Sequence, residues 1–171
     1  MLVDSHCHLN FPDFKDDLDE VVANAHNVGI EQMLSICCKL SEAEEIRAIA
    51  EKYENIFCTA GVHPHEAENH PKVTAEQIIA LTNHPKCVGI GETGLDYFYE
   101  HSPRDLQKAS FQQHIIASQQ TDLPVIIHTR SADEDMIDII NKNDFRGVLH
   151  CFSSDWSVAQ AGLDNGLYVS I

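Results

Sequence analysis

GIGETGLDY, at residues 89–97, places a single glutamate, Glu92, directly after a short apolar run and between two glycines. The run before it, CVGIG, is typical of a strand that is buried on both faces. A carboxylate at the end of such a strand would sit on the tip of a rigid element, and Gly91 and Gly94 would clear the space around it for cations. The stretch therefore predicts a buried strand that carries an acidic group at its C-terminal end.

Similar strand-like runs recur along the chain and alternate with helical patterns. There are seven of them: MLVDSHCHL, MLSICC, IFCTAGVHP, CVGIGETGLD, LPVIIHTR, GVLHCFS and GLYVSI. Helix starts are indicated by capping boxes that begin at Ser41, Thr74 and Ser131, and by Ser102 followed by proline. Strict alternation of strands and helices predicts parallel strands joined by right-handed crossovers, and hence an α/β fold.

The composition is that of an ordinary globular domain, with 171 residues of which 43% are apolar and 22% are charged, so we expect one domain at residues 1–171. The apolar stretches are short and no signal peptide follows Met1, so we expect no contact with a membrane. The six cysteines lack zinc-finger spacing and are expected to be reduced thiols of a cytoplasmic protein. The net charge of −16 argues against a broad basic surface, but not against a small acidic site that binds metals.

Histidines fall at the ends of several strand-like runs. His6 and His8 are two residues apart and so face the same way, His128 follows PVII, and His150 follows GVL. Because parallel strands gather their C-terminal ends on one face, these four side chains are expected to meet Glu92 there and to form a metal centre with it. The histidines that lie in helices or loops are interpreted as surface residues: His26, His70, His84, His101 and His114.

The series of motifs resembles the TatD-related metal-dependent deoxyribonucleases, which are TIM-barrel members of the amidohydrolase-like metallohydrolases. The resemblance covers essentially the whole chain and is carried by DSHCHL, AGVHPH, GIGETGLDY, IIHTR and LHCFS, in that order. It implies a (β/α) barrel, two divalent metal ions, and hydrolysis of DNA phosphodiester bonds, often as a 3′-to-5′ exonuclease.

The resemblance also implies a role for each matching residue. His6 and His8 would hold one metal and Glu92 would bridge to a second, held by His128 and His150. His63, His65 and Arg130 would lie at the mouth of the site and bind the substrate. Two of these residues, His63 and Arg130, would also act in catalysis together with Glu92.

The residue types and their spacing support this chemistry independently of the family resemblance. Two cations about 3.5–4 Å apart can share a carboxylate and a hydroxide that attacks phosphorus. Arg130 lies two residues beyond His128 on the same strand face, where it could bind a phosphate oxygen or form a salt bridge within an acidic rim. Tyr97 or Phe98 could stack on a terminal base or pack internally, and Asp96 could orient a ligand histidine.

The charge balance limits the kind of DNA that the protein would bind. With 11 basic residues against 27 acidic ones, the chain is expected to hold single-stranded DNA or a strand end rather than a long duplex. Histidine-rich coordination favours Zn, Mn or Ni over Mg, yet Mg, Mn and Zn all stay open because availability often decides which metal is bound.

Two other functions stay open. The same ligands could activate water against a cyclic amide or ester, as in an amidohydrolase, although a bridging lysine would fit that reaction better than Glu92 does. The second is an inactive, truncated metal-binding remnant. A full barrel needs about 250 residues, so we expect seven of eight strands, without the last strand and its helices. The aspartate that the family carries on the eighth strand then has no counterpart, and the two open edges invite self-association.

Overall fold

The computed structural model describes residues 2–171, in which strands and helices alternate. The strands are β1 (Leu2–Cys7), β2 (Ile30–Ser35), β3 (Ile56–Ala60), β4 (Cys87–Asp96), β5 (Val125–Arg130), β6 (Gly147–Leu149) and β7 (Tyr168–Val169). The helices are α1 (Leu18–Asn27), α2 (Ala43–Lys52), α3 (Ala75–Thr82), α4 (Arg104–Thr121), α5 (Asp133–Lys142) and α6 (Trp156–Asp164). Short 3₁₀ helices cover Pro12–Phe14, Leu40–Glu42 and Pro64–Asn69.

The seven strands form one parallel sheet, in the order in which they occur along the chain. The sheet is curved, as a contact between two distant strands shows. The ring of His6 on β1 stacks on the ring of His150, which follows β6, with 3.8 Å between the centroids. The fold is therefore an α/β barrel of the TIM type, which within residues 2–171 is open between β1 and β7. The predicted fold class, with seven strands of an eight-stranded barrel, is confirmed.

The apolar core between sheet and helices falls into two main clusters. One joins β4, β5 and β6 to α4, α5 and α6, and includes Phe111, Ile127 and Met136, each with no exposed surface. The other joins β1, β2 and β3 to α1 and α2, and centres on Ile46 and Ile56. Each helix thus covers the strands beside it, as the alternating pattern of the sequence predicts.

Only one of the predicted capping boxes forms. Thr74 and Gln77 make the reciprocal pair of hydrogen bonds at the start of α3, as predicted. The prediction at Ser41 is wrong, because a 3₁₀ turn runs into α2 and its N-cap is Glu42. At Ser131 it is also wrong, since that residue has a positive φ of 53° and α5 begins after Ala132.

Ser102 does not cap α4, which begins one residue later, after Pro103. Its hydroxyl instead donates to the carbonyl oxygen of His65 and accepts from the backbone N–H of Glu68. This serine therefore ties the loop after β4 to the loop after β3. No helix within residues 2–171 has both the length and the apolar character that a membrane span requires.

Candidate metal centre

Glu92 is the sixth of the ten residues of β4, so it lies within the strand and not at the tip where the sequence places it, and only 3% of its surface is exposed. The glycines around it allow the backbones of β4 and β5 to approach each other. A Cβ on Gly94 would overlap the carbonyl oxygen of His128, and a Cβ on Gly91 would lie 2.7 Å from that of Ile126. Gly94 also has a φ of +135°, which other residues rarely adopt. These glycines therefore serve strand packing, and the expectation that they clear space for cations is wrong.

Four histidines surround the Glu92 carboxylate. Its Oε1 lies 3.1 Å from Nδ1 of His128, 2.8 Å from Nε2 of His150, and 3.7 Å from Nε2 of His63. Its Oε2 lies 3.2 Å from Nε2 of His6. The two oxygens thus face different groups of histidines. Burial by itself raises the pKa of Glu92, but hydrogen bonds from His128, His150 and His6 outweigh it and hold the pKa well below its usual value.

Two sets of donor atoms that could each hold a metal ion share this carboxylate. In each set the donor atoms all lie within 4.8 Å of one another. His6, His8 and Glu92 form the first, and His63, Glu92 and His128 form the second. The family resemblance implies His128 and His150 as ligands of the second ion. The second set in the structure contains His63 in place of His150, although Nε2 of His150 also lies 2.8 Å from Oε1 of Glu92.

The donor set fits divalent cations. Within residues 2–171 the partners of the Glu92 carboxylate are histidine side chains, and no lysine or arginine pairs with it. The buried Nδ1 of His6 has no hydrogen-bond partner. A buried carboxylate whose partners are imidazole nitrogens matches the ligands that Zn and related ions prefer.

Asp96, the last residue of β4, connects several parts of the site. It has no exposed surface. Its Oδ2 lies 3.0 Å from Nε2 of His128 and 2.9 Å from Nε2 of His65, and its Oδ1 accepts hydrogen bonds from the backbone N–H groups of Phe98 and Tyr99. Burial by itself raises the pKa of Asp96, but these hydrogen bonds outweigh it and bring the pKa to about 2. Asp96 therefore orients His128 from the side opposite Glu92, as one reading of the sequence predicts.

His63 and His65 follow β3 and differ in what they reach. His63 lies beside Glu92, and its Nδ1 accepts the backbone N–H of His65 at 3.2 Å. Burial lowers the pKa of His63 to about 3, so its ring is neutral at pH 7. Because Nδ1 accepts, the proton of this neutral ring lies on Nε2, which faces Glu92. His65 contacts Asp96 instead of the Glu92 carboxylate.

Arg130 ends β5 and is exposed. Its guanidinium carbon lies 4.3 Å from the ring centroid of Phe98 and 4.7 Å from that of Tyr99. The salt bridge that the sequence offers as an alternative is absent within residues 2–171. Tyr97, in contrast, turns away from this surface and donates its hydroxyl to Asp135.

The structure adds two residues that sequence reasoning missed, both on α4. His114 was interpreted as a surface residue, and that interpretation is wrong: it is fully buried, accepts the backbone N–H of Val62 at Nε2, and contacts the carbonyl oxygen of Ser110 through Nδ1. Gln107 accepts the backbone N–H of Asp96 and donates to its carbonyl oxygen. Both side chains hold the backbone of strand ends that carry the site.

Comparisons with known proteins cover nearly the whole chain. The family model described as TatD related DNase matches residues 3–171. YabD of Bacillus subtilis, an uncharacterized metal-dependent hydrolase, is 33% identical over 173 residues, which cover 99% of this chain and 68% of that protein. The 3′-5′ ssDNA/RNA exonuclease TatD of Salmonella typhimurium is 32% identical, over 99% of this chain and 66% of that protein.

Among solved structures, the crystal structure of YJJV, a TatD homolog from Escherichia coli K12, superposes with a TM-score of 0.90 at 26% identity. The match covers 98% of this chain and 66% of that one. The chain thus spans about two thirds of the length of the relatives that it matches.

Proposed function

This chain belongs to the TatD related DNase family, a family of metal-dependent hydrolases, and on that premise we propose that it hydrolyses DNA phosphodiester bonds from a strand end, in the 3′-to-5′ direction. The observation that supports this most is the sharing of one carboxylate, Glu92, by two sets of donor atoms. A carboxylate between two cations is the arrangement used for in-line displacement at phosphorus. Residues 1–171 would act as one hydrolase domain.

Two divalent ions would be held on the two sides of Glu92. His6 and His8 would hold one together with Glu92, and His128 and His150 would hold the other together with the same carboxylate. When bound, Mg, Mn or Zn would lower the pKa of a water and stabilise the attacking and leaving oxygens of the phosphate. Asp96 would keep a proton on Nε2 of His128, which leaves Nδ1 of that ring free for the ion.

His63 and Arg130 are assigned to the substrate. The neutral His63 ring carries its proton on Nε2, beside the Glu92 carboxylate, from where it would donate to an oxygen of the bound phosphate. Arg130 would bind a non-bridging phosphate oxygen through its planar set of N–H groups. His65 would position the loop through Asp96.

DNA without a complementary strand, or the end of a duplex, is the proposed substrate. The Salmonella relative is named as an exonuclease on single-stranded DNA and RNA. The excess of acidic over basic residues, 27 to 11, favours a contact with few phosphates. A cytoplasmic location is part of the proposal, because all six cysteines are free thiols in the structure.

Digestion of single-stranded DNA labelled at one end tests this function. With Mn²⁺ or Mg²⁺ the chain should release mononucleotides progressively from the 3′ end, and a chelator should stop the release. Glu92→Gln should lower the rate by at least about a hundredfold, because the shared carboxylate is lost. Glu51→Gln, which changes an exposed carboxylate on α2, serves as the matched control and should leave the rate unchanged.

Other outcomes of the same assay would point to the other functions. Turnover of dihydropyrimidines or lactones without DNA cleavage would identify an amidohydrolase. Metal binding without turnover of any of these substrates would identify a non-catalytic metal-binding protein. Cleavage that begins at the 5′ label would contradict the proposed direction alone.

A further inference from the structure

Two exposed aromatic rings lie beside the metal centre. Phe98 and Tyr99 follow β4 directly, and 58% and 49% of their surfaces are exposed. Their rings are perpendicular, with 4.8 Å between the centroids. Packing a ligand against such exposed rings removes apolar surface from water, which is favourable. The two rings therefore mark a candidate binding surface.

The guanidinium of Arg130 rests against both rings and has no acidic partner within residues 2–171, although acidic residues outnumber basic ones by 27 to 11. Arg104, which lies over the nearby ring of Tyr97, does pair with an acid, Glu100. A guanidinium held by ring faces keeps its N–H groups available in its own plane. The guanidinium of Arg130 is therefore held in place, and its N–H groups are available to bind an anion.

This surface is fixed relative to the metal centre. Asp96 accepts the backbone N–H groups of Phe98 and Tyr99 at 3.0 Å each, and its other oxygen contacts Nε2 of His128 at 3.0 Å. The backbone N–H of Tyr97 donates to the carbonyl oxygen of Arg130 at 2.9 Å. Both rings and the arginine are thus tied to the strand ends that carry Glu92 and His128.

We infer that Phe98, Tyr99 and Arg130 form an aromatic platform that binds one nucleotide next to the bond to be cleaved. Because the Tyr99 ring is stacked on His101, with 5.5 Å between the centroids, the more exposed ring of Phe98 would stack on the base, and the guanidinium would bind the adjoining phosphate. A base within a duplex is already stacked on its neighbours, so the platform accepts an unpaired base and selects single strands or frayed ends. This inference rests on the proposed function, since it places the nucleotide beside a centre that hydrolyses phosphodiesters.

Binding of two fluorescein-labelled probes tests the platform. One probe is a six-residue thymidine oligonucleotide, and the other is the same backbone with every base removed. Fluorescence anisotropy in the presence of chelator reports the affinity for each without cleavage. The wild type should bind the thymidine probe at least about tenfold more tightly, because stacking contributes to that probe alone.

Three variants separate the contributions. Phe98→Leu with Tyr99→Leu keeps apolar cover over Arg130 but removes the aromatic faces, and should lower affinity for the thymidine probe to that of the abasic one. Arg130→Gln should weaken binding of both probes. Tyr168→Ala, at an exposed ring on β7 that contacts neither Arg130 nor the two rings, should change neither. Far-ultraviolet circular dichroism checks that each variant is folded.

Equal wild-type affinity for the two probes, or thymidine binding that survives loss of both rings, would overturn the platform. The DNA digestion assay separates this result from failure of the proposed function. Cleavage without base-dependent binding contradicts the platform and leaves the nuclease standing. Base-dependent binding without metal-dependent cleavage supports the platform and contradicts the nuclease.

Discussion

β4 and β1 carry residues to the same centre, yet they are held in very different ways. Of the ten residues in β4, nine are buried. None of the six residues of β1 is buried, and Leu2 and Val3 are 60% and 55% exposed. Glu92 is thus fixed on an interior strand, whereas His6 is presented by a strand that within residues 2–171 pairs on one side only.

The physical reason is the number of neighbours. β4 pairs with both β3 and β5 and is covered by α4, whose side chains also bind the backbone of Asp96. β1 pairs with β2 alone among the described strands, and α1, which packs against β2, buries a single residue, Val22. The β4 half of the centre is therefore preorganised, and the β1 half depends on an edge strand. Changes on the β4 side should therefore have the larger effects.

The largest effect is expected from Gly94→Ala. The new methyl group would overlap the backbone of β5 at a φ of +135°, so we expect a loss of at least about 4 kcal/mol in the free energy of unfolding. Gly29→Ala, before β2, is the matched control. It too has a positive φ, but a Cβ there meets nothing within 4 Å, and the expected loss is about 1 kcal/mol.

Urea denaturation followed by circular dichroism measures both variants. Equal losses for the two would show that the close contact of β4 with β5 is no more demanding than an open turn. That result would remove the contrast between interior and edge.

Asp96→Asn should have the next largest effect. The carboxylate accepts hydrogen bonds at both oxygens, from the loop backbone and from His128, whereas an amide has only one oxygen. His128 therefore loses its fixed orientation, and the affinity for metal should fall about 10- to 100-fold. Asp135→Asn is the control, because Asp135 binds the Tyr97 hydroxyl and Lys108 but none of the site histidines. Titration calorimetry with Mn²⁺ would contradict the positioning role if both variants bound equally well.

A smaller effect is expected in the pH dependence of stability. Burial lowers the pKa of His114 to about 4, below the value near 6.5 of an unfolded histidine. Between these values the unfolded chain binds a proton that the folded chain does not, so this residue makes the protein less stable as the pH falls from 6.5 to 4.

His114→Gln keeps an acceptor for Val62 and removes the titration. The fall in unfolding free energy over this range should then be shallower, by up to about 1.4 kcal/mol per pH unit. His26→Gln, at an exposed position on α1, controls for the loss of an imidazole. Identical slopes for the wild type and His114→Gln in chemical denaturation would refute the buried, neutral state.

The smallest effect on stability is expected at the edge itself. Val3→Lys on β1 should change the free energy of unfolding by less than about 0.5 kcal/mol, but should reduce self-association through the open strand. Val28→Lys, 72% exposed and outside any strand, should leave association unchanged. Light scattering after size exclusion measures this, and a wild type that stays monomeric at high concentration would show that the edge does not associate.

The sequence predicts the strand order and the gathering of Glu92 with four histidines, because both follow from the alternation of strands and helices. It fails on α4, where the buried stripe is largely polar: Gln107, Ser110, His114 and Ser118 are spaced by three or four residues like a helix face. Hydropathy assigns such a stripe to solvent. The contacts that bury it lie in distant backbone groups, which no local pattern reveals.

The predicted starts of α2 and α5 failed for a different reason. A capping box describes the side chains but not the backbone that enters the helix, and a 3₁₀ turn at Leu40–Glu42 or a positive φ at Ser131 prevents it from forming. The single box that does form has an extended backbone at its N-cap residue, Thr74, as that motif requires.

Metal content after equilibrium dialysis against Mn²⁺ tests the central claim, that Glu92 is shared by two ions, most directly. Elemental analysis should find about two ions per wild-type chain, a loss at both sites in Glu92→Ala, and a loss mainly at one site in His128→Ala. Glu51→Ala should retain the wild-type content. Unchanged metal content in Glu92→Ala would contradict the account.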